Sequence, residues 1–372
     1  ITRNHTKIRF CLFIEFLIVT PVWCLESPQM KEQNRRLFMK NLTLATGTLM
    51  STSFGCIKTT HSKGSMQNRR DLIHALEGVH NFMVTIFHPD FELDSEGLRQ
   101  NVSDHAQGFH KKMSIVVAGG LGELYSLDIE EHRALVTAAV AGADGKMPVI
   151  AGIGGGYRNA MRMAKNAERA GADAVLLFPP GSRWGQREGT YRCCLDVAKS
   201  VDIGVLIYPR SEDYWPELLK QLARIENIIG FKDPSGDTKV GSTIGSIIPE
   251  NFLWIAEGEN HAVKSLPVGG RAYTTAVATF APKASYDFWS AGIAGNNKKM
   301  TQVLTNRIEP IVKLRGVKSG YGISGIKVGL KSLGRAGGPV RPPGTQVDLK
   351  DRTTIAKIAH LHSEVRRDSS GD

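Results

Sequence analysis

The stretch Ile228-Ile229-Gly230-Phe231-Lys232, followed by Asp233-Pro234-Ser235-Gly236-Asp237, decides how this chain is interpreted. A mostly apolar run before a cluster of turn-forming residues predicts a short buried strand and its exit loop. Lys232 is out of place in a core, but it stands where a barrel enzyme presents a side chain to its substrate. In a dry pocket, desolvation lowers the pKa of a lysine, and the freed amine can form a Schiff base with a ketone. The alternative is a surface lysine whose stem lies along apolar neighbours.

The same unit recurs along the chain from about residue 72: an apolar run, a turn and a segment with helical periodicity. The predicted helices Ile129–Gly142 and Arg158–Ala170 each end at a Gly-Ala-Asp stretch, and glycine is a common helix stop. Apolar strands that alternate with helices indicate parallel strands buried on both faces, so we predict a TIM (β/α)8 barrel with extra C-terminal helices. The predicted strands are Phe82–Phe87, Ser114–Ala118, Pro148–Gly152, Ala174–Phe178, Gly204–Tyr208, Ile228–Lys232, Phe252–Ala256 and Ala272–Val277.

A rival fold is a doubly wound dinucleotide-binding sheet, suggested by Gly152-Ile153-Gly154-Gly155-Gly156. The third glycine of that fingerprint is misplaced, because Tyr157 follows, and no acidic residue ends the next strand to hold a ribose hydroxyl. We therefore predict that these glycines form a tight turn between a strand and a helix.

The positive charge of the chain is concentrated near its start. Of the net +11, residues 1–70 supply +8, from eleven Lys or Arg against three Asp or Glu, which leaves +3 for the other 302 residues. A nearly neutral body does not carry the basic surface of a nucleic-acid-binding protein. Among the five cysteines, Cys193 and Cys194 are adjacent and poorly placed for a disulfide, and no Cys/His pattern indicates a metal site.

The first seventy residues are typical of a targeting leader. Asn34–Lys40 resembles a twin-arginine signal, the apolar stretch Leu42–Phe54 follows it, and Cys56 is placed as the acceptor of a lipid anchor. We expect export to the periplasm or attachment to a membrane, and a cytoplasmic protein if the leader does not function. Residues 57–70 are polar and predict a linker before a body that spans residues 71–372.

A second apolar segment, Phe10–Leu25, lies upstream of the twin arginines. It has two interpretations. In the first, translation starts at Met30 and residues 1–29 lie outside the protein. In the second, the segment is a membrane anchor, although it is rather short for a span.

Several motifs of the body, in order, are similar to those of a known family. They are the glycine-rich Ala118–Glu123 with Tyr125–Leu127, the strand end at Tyr208, Gly230–Asp233, Thr274–Val277, and the tail segments Gly320–Ser324 and Gly338–Pro343. Together they resemble the dihydrodipicolinate synthase / N-acetylneuraminate lyase family of Schiff-base aldolases, and within it a subgroup of dehydratases. The resemblance runs from Phe82 to Pro343.

The resemblance assigns roles to particular residues. Lys232 is expected to form the Schiff base and Tyr208 to transfer the proton, since both end neighbouring strands of a barrel. Two interpretations stay open for Lys327 and Arg341: they form hydrogen bonds with the substrate, or they are solvated surface residues. The expected substrate-binding residues are Gly119, Gly120, Leu121 and Gly122 through their backbone, Arg210 as a clamp for a second carboxylate, and Ser235 and Thr275 through hydrogen bonds.

The resemblance implies a lyase that acts on a 2-keto sugar acid, with 5-dehydro-4-deoxyglucarate converted to 2,5-dioxopentanoate by loss of water and carbon dioxide. No metal and no organic cofactor is expected, and the partners are a small keto acid and other copies of the chain in a homotetramer or dimer of dimers. Two alternatives stay open: another aldolase of the family, of the 2-keto-3-deoxygluconate or sialic-acid type, and an exported barrel that binds a sugar acid without turning it over.

Four positions depart from the family pattern, and the first is Ile86, since Thr85-Ile86-Phe87 stands where the family has Thr-Pro-Phe. Leu121 stands where the family usually has a threonine of the proton relay, and leucine has no hydrogen-bonding group. Gly181 replaces a tyrosine usually found after the fourth strand, and Pro209 replaces an asparagine after Tyr208. Much of the usual relay is therefore missing, while the lysine and its nearest tyrosine are present.

Overall fold

A computed structural model of the chain describes residues 69–179, 186–209, 216–237 and 252–365. In these ranges helix α1 (Arg69–Leu76) precedes a regular alternation of strands and helices. The strands pair in chain order from β1 to β8, every pair is parallel, and β8 pairs back with β1 to close a barrel. The prediction of a TIM (β/α)8 barrel is confirmed.

The barrel strands are short and buried on both faces, as near-continuous apolar runs predict. They are β1 (Gly78–Phe82), β2 (Met113–Val117), β3 (Val149–Ile153), β4 (Ala174–Leu177), β5 (Gly204–Ile207), β6 (Ile228–Asp233), β7 (Leu253–Ala256) and β8 (Ala272–Thr275). The outer helices are α2 (Ser95–Gln107), α3 (Ile129–Ala143), α4 (Tyr157–Ala170), α5 (Arg187–Ala198), α6 (Glu217–Leu222), α7 (Gly258–Ser265) and α8 (Pro282–Ile293).

Further helices follow the barrel, as the sequence predicted. They are α9 (Asn297–Val303), continued by a π turn at Leu304–Ile308, then α10 (Glu309–Val312), α11 (Ser324–Ser332) and α12 (Leu349–His362). Short 3-10 turns lie at Leu124–Ser126, Leu266–Val268, Val277–Thr279 and Lys313–Arg315.

The ends of the elements follow from local chemistry. Asp128 begins α3 with a capping box, because its side chain accepts from the amide of Glu131 while the Glu131 side chain accepts from the amide of Asp128. Gly171 ends α4 in the left-handed conformation that glycine adopts without strain. The glycines after β3 form the predicted strand-to-helix turn, since Gly156 is the N-cap of α4.

The first predicted strand was wrong. Phe82–Phe87 was expected to be a strand, but β1 is Gly78–Phe82 and residues 83–87 form a buried loop. An apolar run indicates burial and not a strand as such, and here the loop is covered by later parts of the chain. The polar residues His80 and Asn81 concealed the strand, although both are buried within the barrel wall. The last strand is also shorter than predicted and ends at Thr275.

The predictions for the leader lie outside the described residues. The twin-arginine segment, Cys56 and the boundary at residue 70 therefore stay predictions, while α1 begins at Arg69. Among the described helices, none combines the length and apolar character needed to cross a membrane.

Candidate active site

Lys232 lies inside the barrel, near the carboxyl end of β6, as predicted. Its side chain is almost completely buried, with 5% of the residue exposed. The Nζ atom lies 2.8 Å from Oε1 of Glu257 and above two aromatic rings, 4.0 Å from the ring centre of Tyr208 and 5.0 Å from that of Phe82. A cation over aromatic faces is stabilised by their negative charge, so the site is built around an ammonium group.

Tyr208 follows β5 and lies beside Lys232. In the register of the barrel, Ile207 pairs with Phe231, which places the next residues, Tyr208 and Lys232, level with each other on the inner face. The Tyr208 hydroxyl donates a hydrogen bond of 2.8 Å to Oε1 of Glu257, and the ring packs edge-on against Phe178. The structure thus brings together the two residues to which the resemblance assigned catalytic roles.

Glu257 joins these two residues and was missed by the sequence reasoning. Lys232 pairs with Ile255 across β6 and β7, and Glu257 lies two residues beyond Ile255, so its side chain points into the same space. A single oxygen, Oε1, accepts from both Lys232 and Tyr208. The signal was present, because Glu257 follows an apolar strand directly, as an ionisable residue at the mouth of the barrel would.

The environment keeps Glu257 ionised. Burial by itself raises the pKa of the Glu257 carboxyl, but the charge and hydrogen bond of Lys232, with the hydrogen bond of Tyr208 and the charge of His261, lower it below its ordinary value. Sequence reasoning expected burial to lower the pKa of the Lys232 amine, and this stays a prediction. The structure adds a carboxylate against that nitrogen, an opposite charge that favours the ammonium form, which has to lose a proton before it can attack.

His80 forms part of the floor of the site on β1. Burial is the main cause that lowers the pKa of His80 to about 4; the hydrogen bond to the Leu76 carbonyl acts in the opposite direction, and the charge of Lys232 adds to the lowering. Its Nε2 lies 2.7 Å from that carbonyl oxygen and must carry the ring proton there. At neutral pH His80 is therefore uncharged.

The glycine-rich loop after β2 borders the lysine site. A side chain at Gly119 would meet the ring of Phe82 at 2.8 Å, and that ring is one of the two under Lys232. Gly120 is exposed, the Gly122 carbonyl accepts from the Thr85 hydroxyl at 2.5 Å, and Leu121 is half-buried against the core. The loop is in position to contact a substrate on Lys232, and the carboxylate-binding role of its backbone stays a prediction.

Two of the predicted hydrogen-bonding residues have other partners. The Ser235 hydroxyl and amide both donate to Oδ1 of Asp233, at 2.6 and 2.8 Å, which builds the turn after β6. The Thr275 hydroxyl donates to Glu259 and accepts from the amide of Val277. Arg210 lies outside the described residues, so its predicted clamp role is not addressed.

Side-chain alternation explains the position of Thr275. Tyr273, two residues earlier, donates its hydroxyl to the Ser285 carbonyl of α8, so this set of β8 residues faces the helices. Thr274 has the opposite orientation, is level with Glu257 across β7 and β8, and accepts from the amide of Gly258 at 3.1 Å. The threonine that faces the interior is therefore Thr274 and not Thr275.

Lys327 and Arg341, left open by the sequence, are neither solvated nor directed at the lysine site. Lys327 is fully buried and donates to Glu123 and to the Pro339 carbonyl. Arg341 forms a two-pronged ion pair with Glu131 and stacks over the Phe87 ring, 4.1 Å from its centre. Both residues fasten the C-terminal tail to the loop after β2.

A metal centre is not apparent in the described part of the chain, where no group of three or more His, Cys, Asp or Glu side chains could hold an ion. Cys193 is half-buried and Cys194 is buried. The lysine site is thus composed of an amine, a carboxylate and a phenol, which is a set suited to covalent catalysis with proton transfer.

Comparison with known proteins agrees with this chemistry. The sequence model of the Dihydrodipicolinate synthetase family matches residues 75–361. A protein of Ralstonia nicotianae named "Probable 5-dehydro-4-deoxyglucarate dehydratase" is 36% identical over 295 residues, which covers 78% of this chain and 92% of that protein. A protein of Rhodococcus opacus with the same name is 32% identical over 302 residues, 80% of this chain and 98% of its own length.

Solved structures show the same fold. Dihydrodipicolinate synthase from Oceanobacillus iheyensis superposes with a TM-score of 0.72 at 24% identity, over 79% of this chain and 99% of that one. The Acinetobacter baumannii enzyme, solved in complex with pyruvate, has a TM-score of 0.67 at 25% identity, over 77% and 98% of the two chains.

Proposed function

The chain belongs to the dihydrodipicolinate synthetase family, and we propose that within this family of Schiff-base lyases it is a decarboxylating dehydratase for 5-dehydro-4-deoxyglucarate. The observation that carries the proposal is the shared oxygen of Glu257, which holds the Lys232 amine and the Tyr208 hydroxyl against one another in a buried barrel mouth. The names of the relatives at 36% and 32% identity support the choice of substrate.

The reaction begins at the ketone of the substrate. Lys232 condenses with it, water is released, and the resulting iminium withdraws electrons from the neighbouring carbons. Tyr208 is placed to remove a proton from the adjacent methylene, since its oxygen and the Lys232 nitrogen share one hydrogen-bond acceptor. The enamine that forms expels the hydroxyl on the next carbon as water.

Decarboxylation follows from the same electron sink. The conjugated iminium accepts the electron pair of the bond to the far carboxylate, which leaves as carbon dioxide. The enol left at that carbon becomes an aldehyde after protonation, and hydrolysis of the imine returns the amine of Lys232 and frees 2,5-dioxopentanoate. No external oxidant or reductant is needed, because each bond that breaks supplies the electrons for the bond that forms.

The test is a product assay on the purified chain with 5-dehydro-4-deoxyglucarate. We expect one carbon dioxide and one 2,5-dioxopentanoate for each substrate consumed, and a mass gain on Lys232 when borohydride is added during turnover. Lys232→Ala should remove both the turnover and the adduct while the protein stays folded. An adduct on Lys232 together with release of pyruvate would instead identify an aldolase of the same family and overturn the dehydratase proposal.

One observation favours a second candidate, a barrel that binds a sugar acid without turnover. Leu121 offers no hydroxyl in the glycine-rich loop, where the family resemblance places a relay threonine. In that case the acid would bind and raise the melting temperature of the protein. Product would form only at the rate seen without protein, and Lys232→Ala would not change that rate.

A further inference from the structure

We propose that Glu257 is the catalytic acid–base group of the Schiff-base steps, which takes protons from the nitrogen of Lys232 and delivers them to the substrate oxygen through Tyr208. The inference rests on the Schiff-base part of the proposed function and is independent of which keto acid is the natural substrate. It assigns to a carboxylate directly after β7 the work that a loop hydroxyl would otherwise do.

The geometry gives Glu257 both ends of a proton path. Oε1 lies 2.8 Å from Nζ of Lys232 and 2.8 Å from the Tyr208 hydroxyl oxygen, distances at which a proton can transfer directly. One end of the path is the atom that must lose protons during imine formation. The other end is a hydroxyl beside that atom, placed to reach the oxygen of a ketone bound there.

Three other described groups near Lys232 are unsuited to accept its proton, whereas the Tyr208 hydroxyl is itself hydrogen-bonded to Glu257. Phe82 offers only a ring face. His80 uses Nε2 to donate to the Leu76 carbonyl, and the low pKa of its ring means that it binds a further proton only in acid. Leu121 in the bordering loop has no polar atom in its side chain. Glu257, by contrast, is ionised and in contact with Nζ.

The protons balance over the condensation. The Lys232 ammonium gives one proton to Glu257, and the amine adds to the carbonyl carbon as the carbonyl π bond breaks. Glu257 returns this proton through Tyr208 to the new alkoxide. It then takes a second proton from the nitrogen and passes it to the hydroxyl, which leaves as water while the carbon–nitrogen double bond forms. Glu257 finishes ionised, so no net proton is exchanged with solvent.

This balance predicts a pH profile. The reactive state, neutral amine and protonated Glu257, holds the same number of protons as the resting ion pair, so the rate of imine formation should be flat with pH across the neutral range. Without the carboxylate, the ammonium must first lose its proton to solvent, and the rate should rise about tenfold for each pH unit. In the part of the chain that the structure describes, the charged or titratable groups that act on the pair include His80, Tyr208 and His261.

The experiment measures the rate of imine formation between the protein and pyruvate, with aliquots quenched in borohydride at timed intervals and the adduct quantified by intact mass. We expect Glu257→Gln to slow the reaction by about 10²–10³-fold near pH 7 and to convert a flat profile into a rising one. Glu259→Gln is the matched control, because Glu259 lies on the same helix but bonds to Thr275, and it should keep the flat profile.

Two further variants keep the result decisive. Glu257→Asp retains a carboxylate and should keep the flat profile at a lower rate, even if Glu257→Gln folds poorly. His261→Gln tests whether the pH profile reports the ionisation of His261 and not proton transfer by Glu257. The rate of imine formation by this variant should also be flat with pH. A wild-type rate and a flat profile for Glu257→Gln would overturn the proposal, because the glutamine amide oxygen can still accept both hydrogen bonds but cannot take up a proton at this position.

The outcomes also separate this inference from the proposed function. If pyruvate forms the adduct but the sugar acid releases no carbon dioxide, the dehydratase proposal fails while the role of Glu257 is still decided by the pH profiles. If neither pyruvate nor the sugar acid forms an adduct on Lys232, both proposals fail together.

Discussion

Nζ of Lys327 lies 2.5 Å from Oε1 of Glu123, although the two residues are 204 positions apart in the chain. The lysine is fully buried on α11, and the glutamate directly follows the glycine-rich loop. The second oxygen of Glu123 accepts from the amide of Arg341 at 2.9 Å. One carboxylate therefore ties the loop that borders the lysine site to two places in the C-terminal tail.

Lys327→Met should destabilise the protein by about 3–5 kcal/mol, because the substitution leaves the Glu123 charge buried and uncompensated. Chemical unfolding in urea, followed by circular dichroism, measures the change. Lys318→Met is the control, since Lys318 pairs with Asp348 at the surface, where solvent and salt screen the interaction and its loss should change stability little. Equal losses for the two variants would show that Lys327 is not a buried structural cation.

Tyr208→Phe should lower kcat by about 10²–10⁴-fold while the protein keeps its melting temperature. The ring would still pack against Phe178 and beneath Lys232, and only the hydroxyl bonded to Glu257 would be lost. Steady-state kinetics with the sugar acid, alongside thermal unfolding, provide the two readouts. A loss of less than tenfold would remove Tyr208 from the proton path.

Gly152→Ala should destabilise the barrel by about 3 kcal/mol, since a Cβ at this position would lie 2.1 Å from the carbonyl oxygen of Ala118. The clash is with backbone of the neighbouring strand and cannot be relieved by a rotamer change. Differential scanning calorimetry would detect the lower melting temperature.

Gly189→Ala is the opposite case and should stabilise the protein by about 0.5–1 kcal/mol. Gly189 is exposed on α5, a Cβ there meets no atom within 4 Å, and alanine is the better helix former. If both glycine variants shifted stability in the same direction, the close approach of β2 and β3 at Gly152 would be in doubt.

Stability should fall as the pH drops below about 6.5, through buried neutral histidines. Burial lowers the pKa of His105 to about 3, with the charges of Arg335 and His110 adding to the effect, and that of His80 to about 4. Between these values and the unfolded pKa, only the unfolded chain binds the proton. Each histidine therefore costs about 1.4 kcal/mol per pH unit of acidification.

His105→Leu should remove one such contribution from the slope of unfolding free energy against pH between about pH 4 and 6.5. Neither ring nitrogen of His105 has a hydrogen-bond partner among the described residues, so the stability near pH 7 should change little. Urea unfolding at several pH values gives the slope. An unchanged slope would mean that His105 is not buried in its neutral form.

The barrel could be predicted from the sequence because each strand has a local sequence pattern, a short apolar run followed by turn residues. Lys232 could be found for the same reason, since it is a polar residue at the end of such a run, whereas the role of Tyr208 came from the family resemblance. The first strand was misplaced because burial and strand formation give the same apolar signal, and the part of Phe82–Phe87 beyond Phe82 is buried but lies outside the barrel strand, with only an isolated bridge between Phe87 and Leu93 among the described residues.

What escaped prediction depends on closure of the barrel. Whether Thr274 or Thr275 faces the interior is decided by the phase of β8 against its neighbours, which the strand alone does not reveal. The place of Glu257 in the site depends on the register of β7 with its neighbouring strands, which sets it level with Thr274 and within reach of Lys232. Lys327 can be buried because Glu123, far away in the sequence, pairs with it. The local sequence around a single lysine on a C-terminal helix does not indicate such a partner.

The two bonds of Glu123 have a consequence for biosynthesis. Because Arg341 lies 218 positions after Glu123, a chain still emerging from the ribosome holds its lysine and tyrosine long before it holds the tail that fastens the neighbouring loop. The loop beside the lysine site therefore gains both anchors only after all of the barrel strands have been synthesised.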